Sequence, residues 1–496
     1  MTGLLVAGTT SDAGKTAVTT GLCRALARRG LKVAPYKAQN MSNNSMVCAE
    51  PGDESGDGGV EIGRAQWVQA VAARVTPEAA MNPVLLKPGS DRRSHVVLMG
   101  RPWGHVSSSD WLEGRRALAD AAYAAFDDLA ARYDIVIAEG AGSPTEINLR
   151  AGDYVNMGLA RHADMPAIVV GDIDRGGVFA AFFGTVALLS PEDQRLIAGF
   201  VVNKFRGDLD LLAPGLRDLE RVTGRTVYGT LPWRPDVWLD SEDALDLQSR
   251  RSARRGARRV AVVRLPRISN FTDVDALGLE PDLDLVFASQ PSALADADLV
   301  VLPGTRSTIA DLSWLRSRGL DRAVLAHAAA GKPVLGICGG FQMLGSVIRD
   351  PEGIEGDDAA EVEGLGLLDV ETNFVAEKAL RLPHGQWRGV PATGYEIHHG
   401  RITVGREVGE FPGGGHCGSV WGTMWHGTFE GDALRAAFLH EALGLDASGV
   451  SFAGAREARI DLLGDLVEQH LDVDALVELA NHGAPQHLPF LPPGAP

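Results

Sequence analysis

The stretch Leu4-Leu-Val-Ala-Gly8-Thr-Thr-Ser-Asp12-Ala-Gly14-Lys15-Thr16 decides the fold of the first half of this chain. Its four apolar residues predict a buried strand, and apolar residues at helical spacing from Thr16 through Leu26 predict a helix. Between them lies a glycine loop closed by Lys-Thr, in the order that phosphate chemistry requires. Backbone N–H groups of the loop and the helix start face anionic oxygens, Lys15 reaches the β- and γ-phosphates, and the Thr16 hydroxyl suits Mg²⁺. Gly8, Thr9, Asp12, Gly14, Lys15 and Thr16 are therefore the candidate ATP-binding residues. The loop is one residue longer than the common G-x-x-x-x-G-K-[ST] form.

Working outward, short β-branched runs recur at Leu31–Ala34, Tyr133–Ala138, Ala167–Val170 and Phe200–Val202, with helix-length segments between them. Such alternation predicts an α/β domain with a parallel sheet over residues 1–236. An acidic stretch and an arginine cluster at 237–259 read as a linker with a solvated face. A second α/β pattern starts at Val260–Leu265 and runs through Leu299–Leu302 and Pro333–Ile337 to a glycine-rich β region, Gly394–Phe429. It defines a domain over 260–440. Residues 441–496 read as an extension, helical from about Asp461 to Asn481, with a proline-rich tail. A chain of 496 residues exceeds the roughly 250–300 at which single cores stop growing, which agrees with two domains.

Composition excludes several classes. With 47 Lys+Arg against 64 Asp+Glu the net charge is −17, which offers no electrostatic footprint for nucleic acid or anionic lipid. The longest apolar uncharged run, Gly176–Pro191, is shorter than the roughly 20 residues of a membrane helix and reads as a buried helix. The N-terminus reads as a strand and not a signal peptide. Cys23, Cys48, Cys338 and Cys417 form no CxxC pair, so neither a disulfide framework nor a thiolate zinc site is expected. A cytoplasmic protein follows, with homo-oligomer formation left open.

Metal chemistry at the phosphate loop needs hard oxygen donors. Glu139, at the end of the strand Tyr133–Ala138, stands where an open α/β sheet gathers its ligands. Asp57 and Glu61 are further donors. The second chemical motif is Gly336-Ile-Cys338-Gly-Gly340 after the strand Pro333–Ile337. This G-x-C-x-G resembles a nucleophile elbow, where glycines permit a strained turn and the N–H of Gly339 stabilises an oxyanion. His426, His398 and His399 are the candidate bases.

The longer phosphate loop resembles the dethiobiotin synthetase group, in which ATP phosphorylates a carboxylate-like group. The MinD and ParA partition ATPases are the neighbouring alternative, but residues 9–13 lack their early lysine. Gly-Ile-Cys-Gly-Gly-Phe-Gln with a histidine roughly 90 residues later resembles class I, triad-type glutamine amidotransferases. That resemblance makes Cys338 the nucleophile and His426 the base, and L-glutamine a substrate. Position 428 is Thr where many members carry Glu, which leaves the third triad member open, with Glu430 the nearest candidate. Leu302-Pro-Gly-Thr-Arg-Ser307 is similar to the oxyanion-hole loop of that family, which implies Gly304 and Thr305 as donors.

Joined, the two halves imply amidation of a carboxylic acid. Tyr36-Lys-Ala-Gln-Asn-Met-Ser-Asn-Asn-Ser45, Gly63-Arg-Ala-Gln66, Gly171-Asp-Ile-Asp-Arg-Gly-Gly-Val178, Asn203-Lys-Phe-Arg-Gly207 and Leu265-Pro-Arg-Ile-Ser-Asn-Phe-Thr-Asp273 resemble the cobyric acid synthase family over residues 2 to about 440. The resemblance implies ATP, Mg²⁺ and glutamine acting on the b, d, e and g carboxylates of adenosylcobyrinic acid a,c-diamide. It implies Lys37, Gln39, Asn40, Ser42 and Asn43 as corrinoid readers, Asp172 and Asp174 as orienting groups, and Asn203 with Lys204 near the adenine. Cobyrinic acid a,c-diamide synthase, which shares both domains, is the alternative. The segment 46–58 looks longer than the family's usual path and is expected to extend a surface loop.

Overall fold

The computed structural model describes residues 3–50, 52, 58–88, 93–107, 111–237, 256–356 and 358–494. The expected linker lies almost wholly outside them, as does Asp57.

The first half is built on a six-stranded sheet in the order Thr226–Pro232, Ile197–Phe205, Ala167–Asp172, Gly3–Gly8, Ile135–Glu139, Val33–Tyr36. Every pairing is parallel. Burial on both faces explains why these strands read as continuous apolar runs instead of alternating ones; all six residues of Gly3–Gly8 are buried. The register puts Val6 beside Glu139, Gly8 beside Val170 and Asp172 beside Asn203. The phosphate loop, Glu139, Asp172 and Asn203 thus leave the same edge of the sheet, the carboxyl ends of its strands, where ligands of open α/β sheets bind.

The second half carries a seven-stranded sheet in the order Leu283–Ala288, Arg258–Val263, Leu299–Leu302, Val334–Ile337, Val420–Thr423, Gly414–Cys417, Gly409–Phe411. The first five strands are parallel and the last two antiparallel. The glycine-rich region expected to be β-like supplies that antiparallel edge and the long strand Glu396–Val404, which pairs with Val370–Arg381.

Three features depart from the sequence reading. Residues 46–48 are not surface loop: Ser45–Ala49 pairs antiparallel with Gly59–Gly63, and Met46, Val47 and Cys48 are buried. The run Gly176–Pro191 does form a helix, Val178–Ala187, but only one side of it is buried, because Phe179 and Phe183 are 37% and 38% exposed. The C-terminal extension forms two helices, Phe452–His470 and Val473–His482, and it returns to the first half of the chain. Ile460, Leu466 and Val467 share a core with Val18, Leu22 and Leu26 of the phosphate-loop helix Lys15–Arg28. Arg28 clamps the seam through Asp465 at 2.7 Å and Asp461 at 2.8 Å.

Close packing there makes a prediction. A Cβ on Gly21 would lie 2.6 Å from Val467 Cγ2 and 2.7 Å from the Leu463 carbonyl oxygen. Gly21→Val should therefore overpack the seam at a cost of about 1–3 kcal/mol and lower the thermal unfolding midpoint. An unchanged midpoint would show that the C-terminal helix is not held by this contact.

Candidate functional site

At the first strand edge, Gly14 sits at φ 98° and caps the helix start. A Cβ there would lie 2.0 Å from Asn203 Nδ2, so glycine is required both by conformation and by space. Asn203 Nδ2 donates to the Ala13 carbonyl at 2.9 Å and Lys204 Nζ to the Asp12 carbonyl at 2.9 Å. Both residues expected near the adenine thus hold the phosphate loop from the strand Ile197–Phe205, two places away in the sheet. Lys204 also pairs with Asp172 at 2.8 Å, and Arg175 pairs with the Asp12 carboxylate at 2.9 Å. Lys15 is buried, and its ammonium donates to the carbonyls of Thr10, Ser11 and Gly142 at 2.8, 3.1 and 3.0 Å. The Thr9 N–H donates to the Val170 carbonyl of the adjacent strand at 2.9 Å, and Gly8 lies against the Lys15 side chain.

Glu139 is fully buried and held from three sides. Thr16 Oγ1 donates to its Oε1 at 2.9 Å, Lys37 Nζ to the same oxygen at 3.0 Å, and Gln69 Nε2 to Oε2 at 2.6 Å. A hydroxyl and a carboxylate in contact beside a phosphate loop suit Mg²⁺, which takes one or two carboxylates, phosphate oxygens and waters. Glu61, expected as a further donor, is engaged elsewhere, by Lys87 and Lys378. Among the described residues no cluster of three or more His, Cys, Asp or Glu side chains forms a protein-only metal site.

The residues expected to read the substrate are largely wired inward. Asn40 Nδ2 donates to Gln66 Oε1 at 2.9 Å, and the Ser42 hydroxyl accepts from the Asn44 N–H at 3.0 Å. With Lys37 on Glu139, these three belong to a buried polar network. Gln39, half-buried, accepts a hydrogen bond from Tyr154. Asn43 is half-buried, and its Oδ1 has no hydrogen-bond partner.

In the second domain Cys338 has φ 50° and ψ −109°. A non-glycine residue pays for such a conformation only where the surroundings impose it. Here Gly340 abuts the Leu302 carbonyl, which a Cβ would approach to 1.9 Å, and Gly336 abuts the Phe341 backbone. The elbow turns the thiol toward His426. Gly304 packs against the imidazole, since a Cβ there would lie 3.0 Å from its Cε1, and Gly339 packs against the Thr305 backbone. The expected oxyanion loops therefore face each other beside Cys338.

The carboxylate placed to act as third triad member is not the one next to His426 in sequence but Asp273, at the end of the string Leu265–Asp273. Asp273 Oδ2 sits 2.6 Å from His426 Nδ1, and Asp273 Oδ1 accepts from the Gly427 N–H at 2.8 Å. Glu430 is excluded from that role by its partners, Arg64 and Arg456, each at 2.7 Å. His398 and His399 line the same cavity as the thiol, but their Nδ1 atoms face the carbonyls of Gly400 and Val375. Burial lowers the His399 pKa to about 4, aided by Lys378 and Arg306. Burial alone would lower His426 too, but Asp273 and the Cys338 sulfur outweigh it and raise its pKa to about 10.

That raised value gives a second prediction. Because the folded pKa lies above the ordinary 6.5, the pair's stabilisation is complete below pH 6.5 and is lost as pH rises through about 10. In Asp273→Asn the His426 titration midpoint, followed by imidazole NMR, should fall by several units. Glutaminase kcat should fall by about 10²–10⁴. A midpoint that stays near 10 would remove Asp273 from the triad.

The short 3₁₀ helix Phe271–Val274 that carries Asp273, with Asn270 before it, also joins the two halves. Asn270 N–H donates to the Asn43 carbonyl at 3.3 Å, Asn270 Oδ1 accepts from the Ser45 N–H at 2.9 Å, and Thr272 Oγ1 donates to Asn44 Oδ1 at 3.1 Å. Two strings distant in sequence, around Asn43 and around Asp273, are in direct contact.

Residues 4–246 match the family model of the CobQ/CobB/MinD/ParA nucleotide binding domain, and residues 259–434 that of the CobB/CobQ-like glutamine amidotransferase domain. A cobyric acid synthase of Mycolicibacterium vanbaalenii is 84% identical over 496 residues, covering the whole of both chains. The chain belongs to the cobyric acid synthase family. Further cobyric acid synthases, from Mycolicibacterium gilvum and Mycobacterium ulcerans, are 80% and 77% identical, again over the full length of both chains. As a cobyric acid synthase relative the chain is a glutamine-dependent amidoligase with a nucleotide-binding half and an amidotransferase half. Among the described residues no helix is long and apolar enough to cross a membrane.

Proposed function

We propose that the chain amidates the b, d, e and g carboxylates of adenosylcobyrinic acid a,c-diamide to adenosylcobyric acid, with one ATP and one glutamine per amide. The observation that carries this reading is that a phosphate loop backed by Glu139 and a Cys338–His426–Asp273 constellation stand on one chain and meet through the Asn43–Ser45 and Asn270–Asp273 strings.

In the amidotransferase half, the Cys338 sulfur attacks the side-chain carbonyl of glutamine, and the loops at Gly304 and Gly339 supply donors to the developing oxyanion. His426 gives its proton to the departing nitrogen, which leaves as NH₃, and water then releases glutamate from the thioester with His426 as base. Arg306 and Glu355, both lining this cavity, offer charges of the right sign for the α-carboxylate and α-ammonium of glutamine.

In the synthetase half, a substrate carboxylate oxygen attacks the γ-phosphorus of ATP and ADP leaves. Ammonia then adds to the acyl phosphate carbon, a proton is lost, and inorganic phosphate departs. Lys15 and the loop N–H groups hold the phosphates during transfer. Thr16 and Glu139 would hold Mg²⁺, whose charge neutralises phosphate oxygens when bound.

The test is to incubate the protein with Mg-ATP, glutamine and adenosylcobyrinic acid a,c-diamide and follow the corrinoid by mass spectrometry. Stepwise replacement of hydroxyl by amine is the expected result. Glutamine and ATP consumption without any change in the corrinoid would overturn the substrate and leave the amidotransferase.

A further inference from the structure

The cavity that holds Cys338 and His426 is not bounded by the amidotransferase half alone. Its far wall is formed by Lys378, from the strand Val370–Arg381, and by Lys87, from the strand Val84–Pro88 of the synthetase half. Between these lysines lies Glu61, fully buried. Glu61 Oε1 accepts from Lys87 Nζ at 2.5 Å and Ser45 Oγ at 2.8 Å, and Oε2 accepts from Lys378 Nζ at 2.5 Å. The space open to a water-sized molecule is about 50 Å³. A single water needs roughly 10–15 Å³ on this measure, so a few molecules the size of ammonia fit between the thiol and the lysines.

Behind the cluster the polar interior continues toward the phosphate loop. Glu61 lies on the strand that ends at Gly63, whose N–H donates to Asn82 Oδ1. Asn82 Nδ2 donates to the Lys37 carbonyl, and Lys37 pairs with Glu139 beside Thr16. The cluster thus stands between the place where ammonia is made and the place where an acyl phosphate would await it. Two ammonium groups against one carboxylate leave an excess positive charge there, and Arg306 on the same cavity adds to it. Burial draws Lys378 down to about 8 in spite of Glu61, which leaves it charged at neutral pH.

Resting on the reading of the two active sites given above, we propose that Lys87, Glu61 and Lys378 form a charge filter between the sites, admitting neutral ammonia and turning back ammonium ion. Like charges disfavour protonation of a base placed between them, and only unprotonated ammonia can attack an acyl phosphate. The filter keeps the released nitrogen nucleophilic in transit.

The test measures glutamate released per amide formed in the full-length enzyme, alongside amidation from added ammonium chloride. In Lys378→Met, which keeps side-chain length and removes charge, the ratio should rise roughly tenfold while ammonium-driven amidation persists. Lys378→Arg should restore the ratio. Lys87→Met probes the same filter from the other half, in case the first variant does not fold. A ratio unchanged in both neutral variants, or an equal loss with both nitrogen donors, would overturn the filter and leave a structural ion pair. If the unaltered enzyme makes no amide from either nitrogen donor, the synthetase reading fails first and the filter falls with it.

Discussion

Replacing Cys338 by alanine is expected to abolish amidation from glutamine, by a factor of about 10⁴–10⁶, while amidation from added ammonium survives. Both halves of that expectation follow from geometry. The residue sits at φ 50° on a turn whose neighbours leave no alternative path, and alanine keeps the Cβ that this backbone already accommodates. What disappears is the sulfur alone. His426 then has no thiol to work with, and the oxyanion loops at Gly304 and Gly339 have no tetrahedral centre to stabilise. The synthetase half shares none of these atoms. Glutamate release and corrinoid mass shifts, measured with each nitrogen donor, separate the two effects. Unaltered glutaminase activity in Cys338→Ala would remove Cys338 from the reaction.

The two motifs that fix this chemistry are local, which is why they could be read from the chain. Gly8–Thr16 and Gly336–Gly340 each compress a strand, a forced turn and a helix start into a few consecutive residues, and the turn itself requires the glycines that make the motif visible. Asp273 had no such signature. It reaches His426 from 153 positions away, on a loop whose neighbours Asn270 and Thr272 hold the other half of the chain. A triad acid is defined by where its carboxylate arrives, and sequence spacing carries no information on that. Glu430, near His426 in sequence, was the natural candidate for that reason, and its two arginine partners show what it does instead. The polar residues of 37–43 pose a related difficulty. Donors and acceptors are plain in the sequence there, but whether they face a ligand or each other depends on Gln66, Gln69 and Glu139, which come from other elements. The return of the C-terminal helices onto Lys15–Arg28 was likewise illegible, since an apolar stripe on a helix names no partner.

The largest effect expected in the synthetase half is that of Lys15→Ala, which should lower amidation from both glutamine and ammonium by about 10³ or more. The Lys15 ammonium is buried at the centre of the loop and bound to carbonyls on two segments, Thr10–Ser11 and Gly142. Three carbonyls supply partial negative charge at the point where β- and γ-phosphate oxygens would present full charge, so exchanging one set for the other is favourable and specific for anions. Alanine leaves those carbonyls facing each other with no cation between them, and it removes the group that follows negative charge onto the γ-phosphoryl during transfer. Neither defect can be repaired by supplying ammonia, and this distinguishes the variant from Cys338→Ala. Lys15→Arg should not restore activity, because a planar fork cannot replace a compact point charge within the cage formed by Thr10, Ser11 and Gly142. Amidation from ammonium at the unaltered rate in Lys15→Ala would remove the phosphate loop from the reaction.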